Sequence, residues 1–382
     1  MYFQRVQSFP CSISLTPGTR RPSPREALRH SGFENGRAGI TFTMQIHTSA
    51  LPLTLTRPFR IAHGVSHTRT NVLVECGGGL GEAGLPPYLG IDFDDARSWL
   101  ASVKLPAWTS DEPPPVRSWL GDLHAGPDAA ICALDMALHD AWAQRIGQPL
   151  YRLFGLDPTR TRPTFQTVSI PETLEDLTLE TLPSNAPLKL KLGSGNLEMD
   201  VQIARRVRDL TDAAICVDAN GAWSIPDAVR AIPRLAELNV VFVEQPIAAN
   251  DPEDWHLLRR LLANPSGPVL VADESVRSAE DVLALAGAAD AINVKLAKCG
   301  GFERSLGLIA LARSLDMGVV LGCMVESSLA ITAACHLASV ADYTDLDGAD
   351  LLSDDPFVGV RFEGGVPILS DSPGLGVSRR GG

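Results

Sequence analysis

No run of eighteen apolar residues free of charge occurs in the 382-residue chain, which argues against a membrane-spanning helix. Basic residues are in deficit: 33 Lys and Arg stand against 45 Asp and Glu, a net charge of −12. That balance gives no electrostatic footprint for nucleic acid or an anionic membrane. The seven cysteines (Cys11, Cys76, Cys132, Cys216, Cys299, Cys323 and Cys335) are odd in number, scattered and free of any CxxC. Neither a disulfide framework nor a zinc ribbon is expected, and a reducing, cytoplasmic setting is. The composition is 45% hydrophobic and 20% charged, with 33 Gly and 28 Pro, which is that of a globular protein. The length accommodates two or three domains, or one α/β barrel with a cap.

Residues 1–43 lack the apolar segment of a secretory signal. They hold six Arg, no Lys and two acids, Glu26 and Glu34, a local charge of +4 that leaves −16 for the rest. This stretch is expected to be a disordered extension, or to precede a true start at Met44; an Arg- and Ser-rich transit peptide is the remaining alternative.

From Met44 the chain reads as strand, turn, strand (MQIHTSALPLTL, then Thr70–Cys76), with loops marked by Pro86-Pro87 and Pro113–Pro115. Asp128 to Arg145 has helical content and apolar steps of three and four, stopped by Gly147. Residues 44–160 are therefore expected to form a small α+β domain. After Pro163 short apolar runs recur: Phe165–Ile170, Leu188–Leu192, Ala214–Val217, Val240–Val243, Val269–Ala272, Ala291–Val294, Val319–Leu321 and a weaker Ala338–Ala341. Helix-like stretches separate most of them, so repeated βα units and a parallel sheet are predicted. Their number fits a closed α/β barrel over 161–351 better than an open sheet. No GxGxxG follows any of these runs, which weakens a dinucleotide-binding reading.

In such a barrel the C-terminal strand ends share one mouth, where chemistry sits. Lys189 and Lys191 are two apart, hence on one face of a strand. The next three runs end in Asp218, Glu244 and Asp273, and the following one in Lys295. One acid after a strand is an ordinary helix cap. Three on successive strand ends would repel one another in a single cavity unless a cation resolved them. An all-oxygen set selects Mg²⁺, with Mn²⁺ as a substitute, over zinc. Lys191 and Lys295 would flank that metal and suit proton transfer at a carbon α to a carboxylate, through an enediolate. Burial, the metal and Lys189 are expected to push the Lys191 amine down toward a useful base. Lys298 is expected to be a loop or supporting residue.

These motifs resemble the enolase superfamily, in its muconate-lactonizing branch, over roughly residues 46–377. The resemblance rests on Lys189-Leu-Lys191, Asp218-Ala-Asn-Gly, Glu244-Gln-Pro, Asp273-Glu-Ser and Asn293-Val-Lys295-Leu-Ala-Lys-Cys-Gly-Gly, together with the helix AICALDMALHDAWAQRIGQPLYRLFG. It implies an α/β fold: a (β/α)₇β TIM-like barrel with an α+β capping domain, the cap completed by about residues 352–378. It further implies Mg²⁺ on Asp218, Glu244 and Asp273, with Lys191 and Lys295 as the acid/base pair.

Within that branch Asp345-Leu-Asp347 resembles the dipeptide epimerases, whose two acids hold the substrate's α-ammonium. An ammonium buried in the mouth needs such a partner, whereas muconate and o-succinylbenzoate substrates have none. A capping pair before Gly348 is the structural alternative. The implied activity is Mg²⁺-dependent epimerisation of the C-terminal residue of a dipeptide, in peptidoglycan peptide metabolism, by a homo-oligomeric enzyme. Substrate contacts are expected from Lys189, Asp345, Asp347, Thr167, Met324, His63 and Tyr88. A cycloisomerase, a dehydrating synthase and a non-catalytic metal-binding barrel stay as alternatives. The identity of the second residue stays open, because the cap loop carries Ala62-His63-Gly64 with His67 and Arg69 nearby.

Overall fold

The computed structural model describes residues 41–42, 44–106, 108–109, 118–119, 126–184, 186–249, 251–262 and 267–381. The 1–43 extension lies outside the described residues apart from Thr41–Phe42, which pair antiparallel with Trp108–Thr109. The loop at Pro113–Pro115 lies outside them too. No helix among the described residues is long and apolar enough to cross a membrane.

Strands β1 (Ile46–Ile61) and β2 (Gly64–Cys76) form a long hairpin, from Ile46 opposite Cys76 to Ile61 opposite Gly64, and β3 (Gly79–Ala83) pairs with β2. Leu51, Leu53 and Leu55 alternate inward along β1. Because β1 is an edge strand of this sheet, Pro52 and Pro58 remove no ladder bond from its centre. The strand's outer side instead meets the chain's C-terminal part: Thr56 N–H donates to Leu351 O at 2.9 Å and Ser353 N–H to Thr54 O at 2.8 Å.

Helix α1 (Phe93–Ser102) is followed by α2 (Asp128–Arg145), which is buried on nearly every side rather than along one stripe. One reason is close approach by β3. A Cβ at Gly79 would lie 2.0 Å from Ala137 O, and one at Gly81 would lie 1.9 Å from Ala133 O. These glycines, two apart and so on one face of the strand, let it sit directly on the alanine face of α2. Gly81→Ala is expected to destabilise the fold by about 1–3 kcal/mol through overpacking, read as a lower denaturation midpoint. On its other side α2 meets the barrel, where Asp135 accepts from Phe302 N–H.

The barrel strands are β4 (Gln166–Val168), β5 (Leu188–Lys191), β6 (Ile215–Asp218), β7 (Val240–Glu244), β8 (Val269–Ala272), β9 (Ala291–Lys295), β10 (Gly318–Gly322) and β11 (Tyr343–Asp345). All neighbours pair in parallel and in sequence order, and a Thr164–Thr344 bridge closes the ring. Helices α3 (Leu197–Leu210), α4 (Ile225–Glu237), α5 (Pro252–Leu261), α6 (Ala279–Leu285), α7 (Phe302–Ser314) and α8 (Ser328–Cys335) fill six crossovers, while the first carries only a 3₁₀ turn at Leu174–Asp176. This is the expected TIM-like barrel.

One strand assignment needs correction. The apolar run Ala338–Ala341 belongs to a 3₁₀ turn, and the eighth strand is Tyr343–Asp345. Apolar content misled there: the ladder forms where Tyr343, Thr344 and Asp345 lie opposite Val320, Leu321 and Gly322, on a strand with only one large apolar side chain.

Strand periodicity then sets the site. Phe165, Cys216, Phe242, Val271, Ala291 and Val320 form an apolar plug inside the barrel. Two residues further along each strand, on the same inward face, come Thr167, Asp218, Glu244, Asp273, Asn293 and Gly322. The plug is the floor of the polar layer.

Candidate active site

Asp218, Glu244 and Asp273 end β6 and β7 and follow β8, all essentially inaccessible to solvent, with ligand oxygens within 4.8 Å of one another. Three buried carboxylates at that spacing need compensation. The chain holds only five lysines (Lys104, Lys189, Lys191, Lys295 and Lys298), and four of them converge here. Lys191 Nζ lies 2.6 Å from Asp218 on one flank, and Lys295 Nζ lies 2.7 Å from Asp273 on the other. Lys189, one layer lower, reaches upward to Glu244 and Asp345 at 2.7 Å each and to Asp218 at 3.1 Å.

The electrostatics follow from this pairing. Burial pushes Asp218 upward, yet Lys191 and Lys189 overcome it and hold the carboxyl at about 2. Asp273 is driven well below the usual range by Lys295 and Lys298, again against burial. For Glu244 burial wins over Lys189 and raises the carboxyl to about 8. The ammonium groups of Lys189 and Lys295 are raised well above their ordinary value by the same carboxylates, against burial. The donor set is buried, all-oxygen and closely spaced, so it fits a hard divalent cation of the Mg²⁺ or Mn²⁺ kind.

Further residues support the acid trio, among them Asn293, Asn220 and Gln245, to which the sequence analysis assigns no role. Asn293 donates to Glu244 Oε1 at 2.7 Å, and Asn220 N–H donates to Asp218 Oδ1 at 2.9 Å. Gln245 Oε1 accepts the N–H groups of Asp273 and Ser275. Asn220, two residues after Asp218, and Gln245, directly after Glu244, have φ of +44° and +37°, a left-handed backbone just past two of the three acids. Lys298 is more than a loop residue. It lies on a short helical turn, Leu296–Cys299, is 2% exposed, and bonds to Asp273 Oδ1 at 2.6 Å, Asn293 O at 2.8 Å and Asp273 O.

Removing Lys298 leaves a buried carboxylate short of one partner. Lys298→Met is therefore expected to destabilise the metal-free protein by about 3–5 kcal/mol. Mg²⁺ should recover part of that loss, so the metal-induced rise in denaturation midpoint should be larger in the variant than in the wild type. An equal rise in both would show that Lys298 does not share the carboxylate's charge.

The remaining candidates split between two adjoining cavities. Thr167, Lys191, Lys295, Met324, Asp345 and Asp347 line the inner one. Thr167 donates to Asp347 through its N–H at 2.6 Å and its hydroxyl at 3.2 Å. Burial, with Asp345 beside it, raises Asp347 to about 7. Asp345 keeps a buried Oδ1 with no partner. His63 lines only the outer cavity, of about 440 Å³, where it stacks on Tyr88 at 5.1 Å between centroids. Tyr88 borders both cavities and donates its hydroxyl to Met324 Sδ at 3.2 Å.

A model of the enolase C-terminal domain-like family matches residues 185–380. The L-Ala-D/L-Glu epimerase of Bacteroides thetaiotaomicron is 34% identical over 343 residues, 88% of this chain and 88% of that protein. Among solved structures, a dipeptide epimerase from Cytophaga hutchinsonii complexed with Mg and the dipeptide D-Ala-L-Val is similar with a TM-score of 0.80 and 27% identity, over 90% of this chain and 97% of that one. Muconate lactonizing enzyme from Pseudomonas fluorescens complexed with muconolactone is similar with a TM-score of 0.79 and 26% identity, over 89% of this chain and 97% of that one. The chain belongs to the enolase C-terminal domain-like family.

Proposed function

We propose that this protein is a dipeptide epimerase, inverting the α-carbon of the C-terminal residue by a Mg²⁺-dependent proton transfer between Lys191 and Lys295. The observation that carries this reading is the composition of the inner cavity: both lysines and the Asp345–Asp347 pair open on the same small space. A lysine on each flank suits exchange of one proton across a tetrahedral carbon, and the acid pair suits an ammonium. A cycloisomerase substrate lacks the ammonium and leaves the acid pair unused. The epimerase relatives support the same reading.

Asp218, Glu244 and Asp273 would hold the divalent cation, which would supply charge compensation for the substrate carboxylate. In one direction Lys191, as the neutral amine, takes the α-proton. The electron pair left behind delocalises into the carboxylate as an enediolate. Protonated Lys295 then delivers its proton to the opposite face, and the two lysines have exchanged protonation states. The reverse direction exchanges their roles. Asp345 and Asp347 hold the free amino terminus throughout, with Thr167 fixing the Asp347 carboxylate.

Chelation tests the cation requirement. Excess EDTA should abolish turnover of a dipeptide panel, and added Mg²⁺ should restore it; full activity in EDTA would contradict the assignment of the three acids.

A further inference from the structure

Two buried aspartates border neither cavity and touch no reacting group, yet each holds the turn that follows one of the two lysines. Asp200, on α3, accepts the N–H of Gly193 at 3.0 Å and that of Ser194 at 2.9 Å, the second and third residues after Lys191. Trp223 Nε1–H fixes the same carboxylate from the next βα loop at 2.8 Å. Gly193 has φ of +85°, and a Cβ there would lie 2.8 Å from Ala219 O, so the turn closes tightly against its neighbour.

Asp135, on the cap helix α2, does the same for Lys295. The turn after that lysine closes when Gly300 and Gly301 N–H both donate to Leu296 O at 3.0 Å, and it ends where Asp135 Oδ2 accepts Phe302 N–H. Gly301 has φ of +104°, and a Cβ there would fall on the Asp135 carboxylate. The other oxygen, Oδ1, faces His139 Nδ1 at 2.7 Å, one helical turn along. Burial pulls the His139 imidazole down, but Asp135 overcomes this and leaves it raised above its ordinary value. The turn also carries Lys298 to Asp273, the carboxylate that Lys295 itself contacts.

A turn can close on its own backbone groups, and burying a carboxylate costs desolvation that simple closure does not require. Charge-assisted bonds to turn N–H groups fix the backbone beside each base more firmly than a neutral acceptor would. We infer that Asp200 and Asp135 are positioning residues, one for each base: Asp200 sets Lys191, and Asp135, backed by His139, sets Lys295. This rests on the dipeptide epimerase reading and deepens it. The consequence is stereochemical, because displacing one lysine slows proton transfer on its own face of the α-carbon.

The test measures exchange of the α-proton with D₂O separately for L-Ala-L-Glu and L-Ala-D-Glu, in Mg²⁺, as the ratio of the two rates. Lys191→Ala and Lys295→Ala identify the epimer that each lysine serves. Asp135→Ala is expected to shift the ratio about tenfold or more against the Lys295 epimer, and Asp200→Ala by a similar factor in the opposite sense. Asp135→Asn and Asp200→Asn keep an acceptor oxygen and should recover part of each shift. A general loss of stability or of metal lowers both rates together, so ratios that stay unchanged, or move in the same sense in both variants, overturn the inference while dipeptide epimerisation stands. If an alanine variant fails to fold, its asparagine counterpart decides by the same ratio, together with amide hydrogen exchange. Loss of protection should centre on residues 193–194 for Asp200 and 300–302 for Asp135, and unaltered protection there contradicts the assignment. Absence of exchange on every dipeptide by the wild type overturns the epimerase reading, and this inference with it.

Discussion

Asp345→Asn or Asp347→Asn is expected to lower kcat/KM on free dipeptides by about 10²–10⁴-fold, because losing one partner of a buried charge pair costs about 3–5 kcal/mol. The two variants should differ in a second respect. Lys189 bridges Asp345 to Glu244 and Asp218, so Asp345→Asn also disturbs the ammonium that compensates the acid trio. Asp347 contacts Thr167 instead, and its variant should leave Mg²⁺ affinity close to that of the wild type. Titration calorimetry of Mg²⁺ into each variant separates the effects. The same pair gives a pH signature. Burial and Asp345 raise Asp347 to about 7, so it becomes neutral as pH falls through that value and kcat/KM should decline there. An N-acetylated dipeptide, which has no ammonium to pair, should be a very poor substrate for the wild type. Equal turnover of acetylated and free dipeptides would remove the clamp from the account and promote the cycloisomerase reading.

Lys191→Ala and Lys295→Ala should each abolish net epimerisation, a loss of about 10²–10⁴-fold or more for a positioned acid/base group. The informative result is what survives. Each variant retains one lysine on one flank of the acid trio, Lys295 beside Asp273 or Lys191 beside Asp218. It should therefore exchange the α-proton of only one epimer with solvent, and the two variants should choose opposite epimers. Near-full epimerisation by either variant would show that its lysine had been misassigned.

Much of this site was legible in the sequence because a parallel barrel turns linear spacing into convergence. Acids at the ends of three successive apolar runs and lysines on the runs flanking them had one common destination, and inward alternation placed all of them above the apolar plug. What escaped did so for physical reasons. The supporting role of Lys298 is expected from its place three residues past Lys295, but not its partner: only the fold of the Leu296–Cys299 turn brings its amine back to Asp273. A signal was present all the same: in a chain with 33 basic residues, only five are lysines, and four of these serve one cavity. The eighth strand was misplaced because hydrophobicity marked a turn, while the ladder was set by register with β10. The long reach of Lys189 across to Asp345, from a strand pairing only with β4 and β6, depends on side-chain length and has no trace in spacing.

In the proposed reaction Lys191 and Lys295 move one proton on the α-carbon of a dipeptide whose amino terminus is held by Asp345 and Asp347. Incubation of the wild-type protein with L-Ala-L-Glu and Mg²⁺ in D₂O, followed by proton NMR, tests it most directly. The expected result is loss of the Glu α-proton signal together with appearance of the L-Ala-D-Glu epimer carrying deuterium at that carbon, while the Ala α-proton persists. Retention of both α-proton signals in active, Mg²⁺-loaded protein would contradict it.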